Sequence, residues 1–260
     1  MNPDARDHSG FLRPIWSRIP CTGISVPPWL FSLLVLAVLA AARYCAVFGP
    51  PQARILFLLH ALVMWTLPFL FLTRQGRRDI GLRKLGNTVS ALALSALAGA
   101  CCGFAVYAAG MLLYGSSPDN WNLTIRDSLQ LKQMLAVMPP AAAFAAIVLP
   151  AMILTPIGEE ILFRGLIQQS FTLRWNAVIA TAVNGLAFGL IHLHVHVLWR
   201  DAAGYHLRPV SGALMFLMGV GLSAVFTFCR LRTGSLFAAM AAHAACNLFM
   251  IGAVFIHYAG

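Results

Sequence analysis

Acidic residues and lysine are scarce in this chain of 260 residues. It has eight Asp and Glu residues and only two lysines, and 10% of its residues are charged whereas 60% are hydrophobic. A soluble domain of this length needs far more charge on its surface, so the composition indicates a polytopic membrane protein. We predict an all-α fold, a multi-pass transmembrane helical bundle, and we expect it in a bacterial inner membrane.

The sequence also lacks the spacings that mark common metal and disulfide sites. None of its six cysteines belongs to a C-x-x-C pair, and no H-E-x-x-H is present. These absences argue against a zinc knuckle, a disulfide framework and the common helical metalloprotease motif. We expect neither a cofactor nor a bound metal.

Seven apolar runs are long enough to cross a bilayer, which takes about 20 residues in a helix. They cover residues 29–48, 53–73, 88–114, roughly 141–172, 176–199, 209–229 and 234–257. Residues 116–138 are too polar for a full span and predict a loop followed by an interfacial amphipathic helix. If this segment inserts more deeply, the count rises from about seven spans to eight.

Basic residues are distributed unevenly between the two ends of these spans. With a cytoplasmic N-terminus, twelve of the eighteen Lys and Arg residues fall on cytoplasmic segments, including the run RQGRRDIGLRK at residues 74–84. The positive-inside rule favours this orientation. The arginines lie in short loops between apolar runs, so we interpret the net charge of +10 as a signal of membrane topology. We therefore expect no nucleic acid partner.

Three short motifs place polar residues inside the later spans. They read EEILFR at residues 159–164, FGLIH at 188–192 and HAACN at 243–247. Within each motif, residues four apart share one helical face. Counted at about 1.5 Å per residue from arginine-containing turns on the cytoplasmic side, these polar groups lie roughly 16–27 Å from that membrane face. Side chains from three helices therefore meet at similar depth.

The two adjacent glutamates are predicted to differ in role. Glu160 can pair with Arg164 one helical turn later, which neutralises both charges. Glu159 points about 100° away around the helix and has no such partner in the sequence. We therefore expect Glu159 to be the catalytic carboxylate, acting as a general base.

Taken in order, the three motifs resemble the CAAX protease and bacteriocin-processing family, also called type II CAAX prenyl endopeptidases or glutamic intramembrane proteases. The resemblance covers roughly residues 140–250. It implies a peptide hydrolase in which Glu159 and His192 activate a water, while His243 and Asn247 stabilise the oxyanion. Structural support is expected from Glu160, Arg164 and Phe188. The expected partner is a membrane-associated protein or peptide substrate within the lipid bilayer.

The chain then divides into three predicted segments. These are a polar N-terminal segment at 1–28, spans and an interfacial segment at 29–138, and the catalytic intramembrane protease core at 139–257.

Two other interpretations of the polar residues stay open. Glu159, His192 and His243 would also make a zinc site with an open fourth position, as in a zinc-dependent membrane protease. A non-catalytic immunity, scaffold or transport protein would instead keep the polar core for ion pairing or proton relay.

Four further polar or reactive side chains are expected to have roles other than catalysis. The expected role of Asn184 is a hydrogen bond between helices, and that of Cys246 is packing. His196 is expected at the membrane interface together with His194.

Overall fold

The computed structural model describes residues 10–18, 24–83, 88–201 and 204–259. Within them, most residues are helical, and seven apolar helices follow the order of the predicted spans. They are α1 (Pro28–Phe48), α2 (Ile55–Phe71), α4 (Thr88–Tyr114), α7 (Pro140–Glu160) continued through α8 (Gln168–Arg174), α9 (Ala177–Val197), α10 (Pro209–Thr233) and α11 (Leu236–Ala259). A polytopic helical bundle is thus confirmed.

Five of these helices are long and apolar enough to cross a membrane, and α2 and the apolar part of α9 are shorter. Many of their large side chains face outward, including Val38, Val89 and Leu112, each at least 69% exposed. In water such exposure would be unfavourable, but lipid tails solvate apolar side chains. The outer surface of the bundle is therefore suited to a bilayer.

Prolines and a glycine set several helix ends. Pro28, Pro140 and Pro209 occupy the first turns of α1, α7 and α10, where a missing backbone N–H removes no intrahelical hydrogen bond. Gly234 follows α10 in the left-handed conformation, with φ of 67°, and its N–H caps the Arg230 carbonyl. These residues separate α10 sharply from α11.

The polar connections between the long helices fold as short elements. The loop after α2 contains α3 (Arg74–Asp79), and the predicted interfacial segment forms α5 (Trp121–Ser128) and α6 (Leu131–Val137). Strands β1 (Leu198–Asp201) and β2 (Gly204–Leu207) pair as an antiparallel hairpin between α9 and α10. The sequence analysis did not predict this hairpin, most of which lies between the predicted spans 176–199 and 209–229.

Helices α4 and α11 approach each other closely at two glycines. A methyl group added at Gly99 would lie 1.8 Å from the Ala242 carbonyl oxygen, and one at Gly103 would lie 2.1 Å from that of Cys246. Small residues at this spacing let membrane helices pack backbone against backbone. Because His243 follows Ala242, the same contact fixes the position of a predicted site residue.

We predict that Gly99→Ala destabilises the protein by about 1–3 kcal/mol, as overpacking does in a close-packed interior. The added methyl group forces α4 and α11 apart, and His243 moves with α11. Thermal unfolding in detergent measures the effect. Gly221→Ala on α10 is the matched control, because a methyl group there meets nothing within 4 Å; equal melting temperatures for the two variants would refute the packing account.

Candidate active site

The two glutamates lie where α7 gives way to a wider helical turn. Glu159 and Glu160 are the last residues of α7, and Ile161–Ile167 continue as a π-helix. The N–H of Gln168 donates to the Phe163 carbonyl five residues back. Such widened turns occur often at functional sites, and this one brings Arg164 into the bundle interior.

The Glu160 carboxylate joins two motifs through a single oxygen atom. Its Oε1 lies 3.0 Å from Arg164 Nη1 and 2.8 Å from His243 Nδ1. The Glu160 and Arg164 side chains are both fully buried. The pairing of Glu160 with Arg164 agrees with the sequence prediction, whereas the bond to His243 on α11 was not expected. Glu160 therefore orients a histidine as well as neutralising an arginine.

Aromatic rings enclose the charged groups around Glu160. The Arg164 guanidinium carbon lies 4.3 Å from the Phe188 ring centroid and 5.1 Å from that of Phe226. The His243 ring stacks on Phe226 with a centroid separation of 4.8 Å. Ring faces attract cations and provide apolar walls, so they stabilise Arg164 where water is excluded. Phe188, which was predicted as a supporting residue, lies against Arg164.

Glu159 has a partner that the sequence did not reveal. Its Oε1 lies 3.5 Å from Nη1 of Arg43 on α1, and its own side chain is 2% exposed. The expectation that Glu159 remains free of an ion pair was therefore wrong. That prediction rested on neighbours along the same helix, whereas Arg43 is 116 residues away from Glu159 in sequence.

Two histidines approach the other oxygen of Glu159. His192 Nε2 is 3.8 Å from Glu159 Oε2, and His243 Nε2 is 4.0 Å from the same atom. These separations are too long for direct hydrogen bonds and suit an oxygen atom held between the groups. The motifs on α7, α9 and α11 thus converge, as their depths predicted.

The backbone determines which nitrogen of His192 carries a proton. His192 Nδ1 lies 2.8 Å from the Phe188 carbonyl oxygen. A carbonyl can only accept, so Nδ1 donates, and in the neutral ring Nε2 keeps a lone pair. That lone pair belongs to the nitrogen nearest Glu159. His192 is also the more accessible histidine, with its side chain 26% exposed against 6% for His243.

Asn247 lies one helical turn beyond His243 and contacts the backbone of α7. Its Nδ2 donates to the Ala151 carbonyl at 2.9 Å, which leaves one amide hydrogen for another acceptor. A cavity of about 110 Å³ is lined by His192, His243 and Asn247 together with apolar side chains. Three of the four predicted site residues, His192, His243 and Asn247, therefore line one small cavity.

Asn184 and Cys246 have the structural roles predicted for them, whereas the expected interfacial position of His196 is not what the structure shows. Asn184 donates to Thr227 on α10 at 3.1 Å, which ties α9 to α10. Cys246 is buried against Gly103 of α4. His196 is buried and lines the same cavity as His192. The His194 side chain lies outside the described residues.

Sequence reasoning missed the contribution of the first two helices. Besides Arg43, the buried His60 on α2 interacts electrostatically with Arg43 and Glu159. Both residues are polar and lie within otherwise apolar spans, which is itself a signal of function in a membrane protein. No spacing rule connects them to the later motifs, so only the folded arrangement reveals the contact.

Comparison with known families assigns the later part of the chain. Residues 141–249 match the family described as type II CAAX prenyl endopeptidase Rce1-like. This part of the chain is therefore similar to the Rce1-like CAAX protease family, and it lies within a bundle of helices of which five are long and apolar enough to cross a membrane. No curated protein and no solved structure gives a significant match.

We predict that Glu160→Gln lowers the free energy of unfolding by about 3–5 kcal/mol, the usual effect of breaking a buried ion pair. The substitution leaves the buried Arg164 without its counter-charge and weakens the acceptor for His243. The melting temperature of the purified protein and its unfolding in urea measure the loss of stability.

The control is Asp127→Asn, which removes an exposed carboxylate paired with Arg126 at 2.7 Å. Surface pairs contribute about 0–1 kcal/mol, so this variant should melt close to the wild type. A Glu160→Gln protein as stable as this control would contradict the assigned role of Glu160.

Proposed function

We propose that the Rce1-like domain at residues 141–249 is an intramembrane endopeptidase that hydrolyses a peptide bond with a glutamate-activated water. The substrate is a membrane-associated protein or peptide. The observation that supports this function is the approach of two histidine Nε2 atoms, at 3.8 Å and 4.0 Å, to the buried Oε2 of Glu159. This arrangement suits a water that is bound, oriented and deprotonated in one place.

In the proposed reaction, water lies between Glu159 Oε2 and His192 Nε2 and attacks the carbonyl carbon of the scissile bond. Glu159 accepts the proton as the general base, and the His192 lone pair holds the water in position. The tetrahedral intermediate then collapses with cleavage of the carbon–nitrogen bond. The proton taken up by Glu159 is delivered to the departing amine, so the carboxylate is regenerated.

The oxyanion of this intermediate is assigned to His243 and Asn247. His243 Nδ1 donates to ionised Glu160, so an Nε2–H donor requires the imidazolium form. Asn247 contributes its second amide hydrogen from the same helical face. Preorganised donors of this kind typically contribute about 10²–10³ in rate.

Arg43 is assigned a positioning role toward Glu159. A buried carboxylate without a counter-charge is strongly disfavoured in a medium of low dielectric constant. The Arg43 guanidinium contacts Oε1, which leaves Oε2 directed toward the two histidines. One carboxylate oxygen of Glu159 is thus held in the ion pair, and the other remains available to accept a proton from water.

We predict that Glu159→Gln reduces the single-turnover rate by about 10²–10⁴, the usual contribution of a general base. The amide keeps the size of the side chain and can still accept a hydrogen bond from Arg43, so the protein should accumulate in the membrane. Peptide termini in the membrane proteome of cells with wild-type protein, with Glu159→Gln and with no protein identify the substrate.

The expected result is a set of new termini present only with the wild type. The control is Asp79→Asn, which removes a carboxylate that lies outside the site and accepts a hydrogen bond from Gln75. This variant should give the same set of termini as the wild type. If the termini are the same in all cells although the protein is present, the chain is not a protease under these conditions, and the scaffold interpretation is favoured.

We predict that activity survives thorough chelation and gains nothing from added zinc. The proposed mechanism uses only Glu159, His192, His243 and Asn247, and an amide such as Asn247 is a poor zinc ligand. Turnover of an identified substrate after dialysis against chelator measures this. Loss of activity that zinc restores would establish the zinc-dependent alternative, because the same carboxylate and histidines would then be metal ligands.

A further inference from the structure

Two members of the charged cluster around Glu159, Arg43 and His192, lie close to one end of their helices. Arg43 is five residues before the end of α1 at Phe48, and His192 is five residues before the end of α9 at Val197. At 1.5 Å per residue, each lies about 8 Å from that end and about 22 Å from the other end of its helix. The nearer end is the one that carries α5, α6 and the β-hairpin.

A cavity of about 550 Å³ connects the cluster with this end. Its lining includes Arg43 and His192 from the cluster and Asp127 and Gln130 from the segment that contains α5 and α6. His192 and His196 also line the smaller cavity that borders His243 and Asn247. The two cavities together give a route from the end of the bundle to His192, His243 and Asn247.

The opposite end of the bundle carries a cluster of arginines. They lie in the connection from α2 to α4, at the end of α8 and at the end of α10: Arg74, Arg77, Arg78, Arg83, Arg174, Arg230 and Arg232. Arg230 also has a structural role, bonded to Gln169 and the Asp79 carbonyl. The end near the cavity has fewer basic residues. By the positive-inside rule, the arginine-rich end is cytoplasmic.

We propose that the site opens to the non-cytoplasmic side of the membrane and that its substrate is an extended segment of a secreted or membrane-anchored protein presented on that side. This inference rests on the proposed peptidase function. The cavity volume lies within the range of about 300–1,000 Å³ typical of enclosed ligand sites. It therefore has room for a short stretch of extended chain and not for a folded domain.

Labelling with a membrane-impermeant maleimide tests the direction of opening. Val47→Cys places a thiol on α1 in the cavity lining, one helical turn after Arg43 and outside the proposed catalytic machinery. Intact spheroplasts should label this variant and should then lose processing of the substrate. Arg78→Cys, exposed at the arginine-rich end, should label only after the membrane is opened, and the parent protein gives the background.

Gln130→Cys, at an exposed position in the same cavity lining, repeats the test if Val47→Cys does not accumulate. Labelling of either cavity thiol only from the cytoplasmic side would overturn the inference and leave the hydrolytic mechanism intact. Cleavage sites that map to cytoplasmic segments of the identified substrates would overturn it too. Identical termini with wild type and Glu159→Gln would instead refute the peptidase function, and thiol labelling would still report the open face.

Discussion

The need to neutralise charge inside a medium of low dielectric constant is the constraint on which this structure depends. Glu159 and Glu160 are both buried, and each carboxylate has its own guanidinium partner, Arg164 for Glu160 and Arg43 for Glu159. An unpaired charge there would be strongly destabilising. The pairs tie α1 to α7 and close the π-helical turn, so the same interactions that make the cluster tolerable also set its geometry.

Neutralisation leaves each glutamate with one oxygen in an ion pair, but the environments of the two residues differ. Glu160 directs its paired oxygen to His243 as well and is sealed by the rings of Phe188 and Phe226. Glu159 borders the more accessible His192, beside the cavities. The first carboxylate is therefore suited to holding the site together, and the second to meeting a substrate. Helix α11, fixed against α4 by Gly99 and Gly103, supplies the remaining two groups.

Features governed by local chemistry could be predicted from the sequence, and features governed by long-range contacts could not. Hydropathy predicted the apolar helices, and four-residue spacing predicted the Glu160–Arg164 pair. The order and depth of the three motifs predicted that Glu159, His192 and His243 meet. By contrast, the Arg43 contact and the Glu160–His243 bond join residues 116 and 83 positions apart, which no periodicity encodes. The π-helical turn and the β-hairpin depend on packing and were missed for the same reason.

The central claim is that water itself, activated at Glu159, attacks the peptide bond. A single turnover of an identified substrate with excess protein in ¹⁸O-labelled water tests it most directly. The account predicts that every new carboxyl terminus carries one solvent oxygen after the first turnover, while Glu159 stays unlabelled. First-turnover product without solvent oxygen, together with label in the Glu159 side chain, would show a covalent acyl intermediate on Glu159 and would contradict the account.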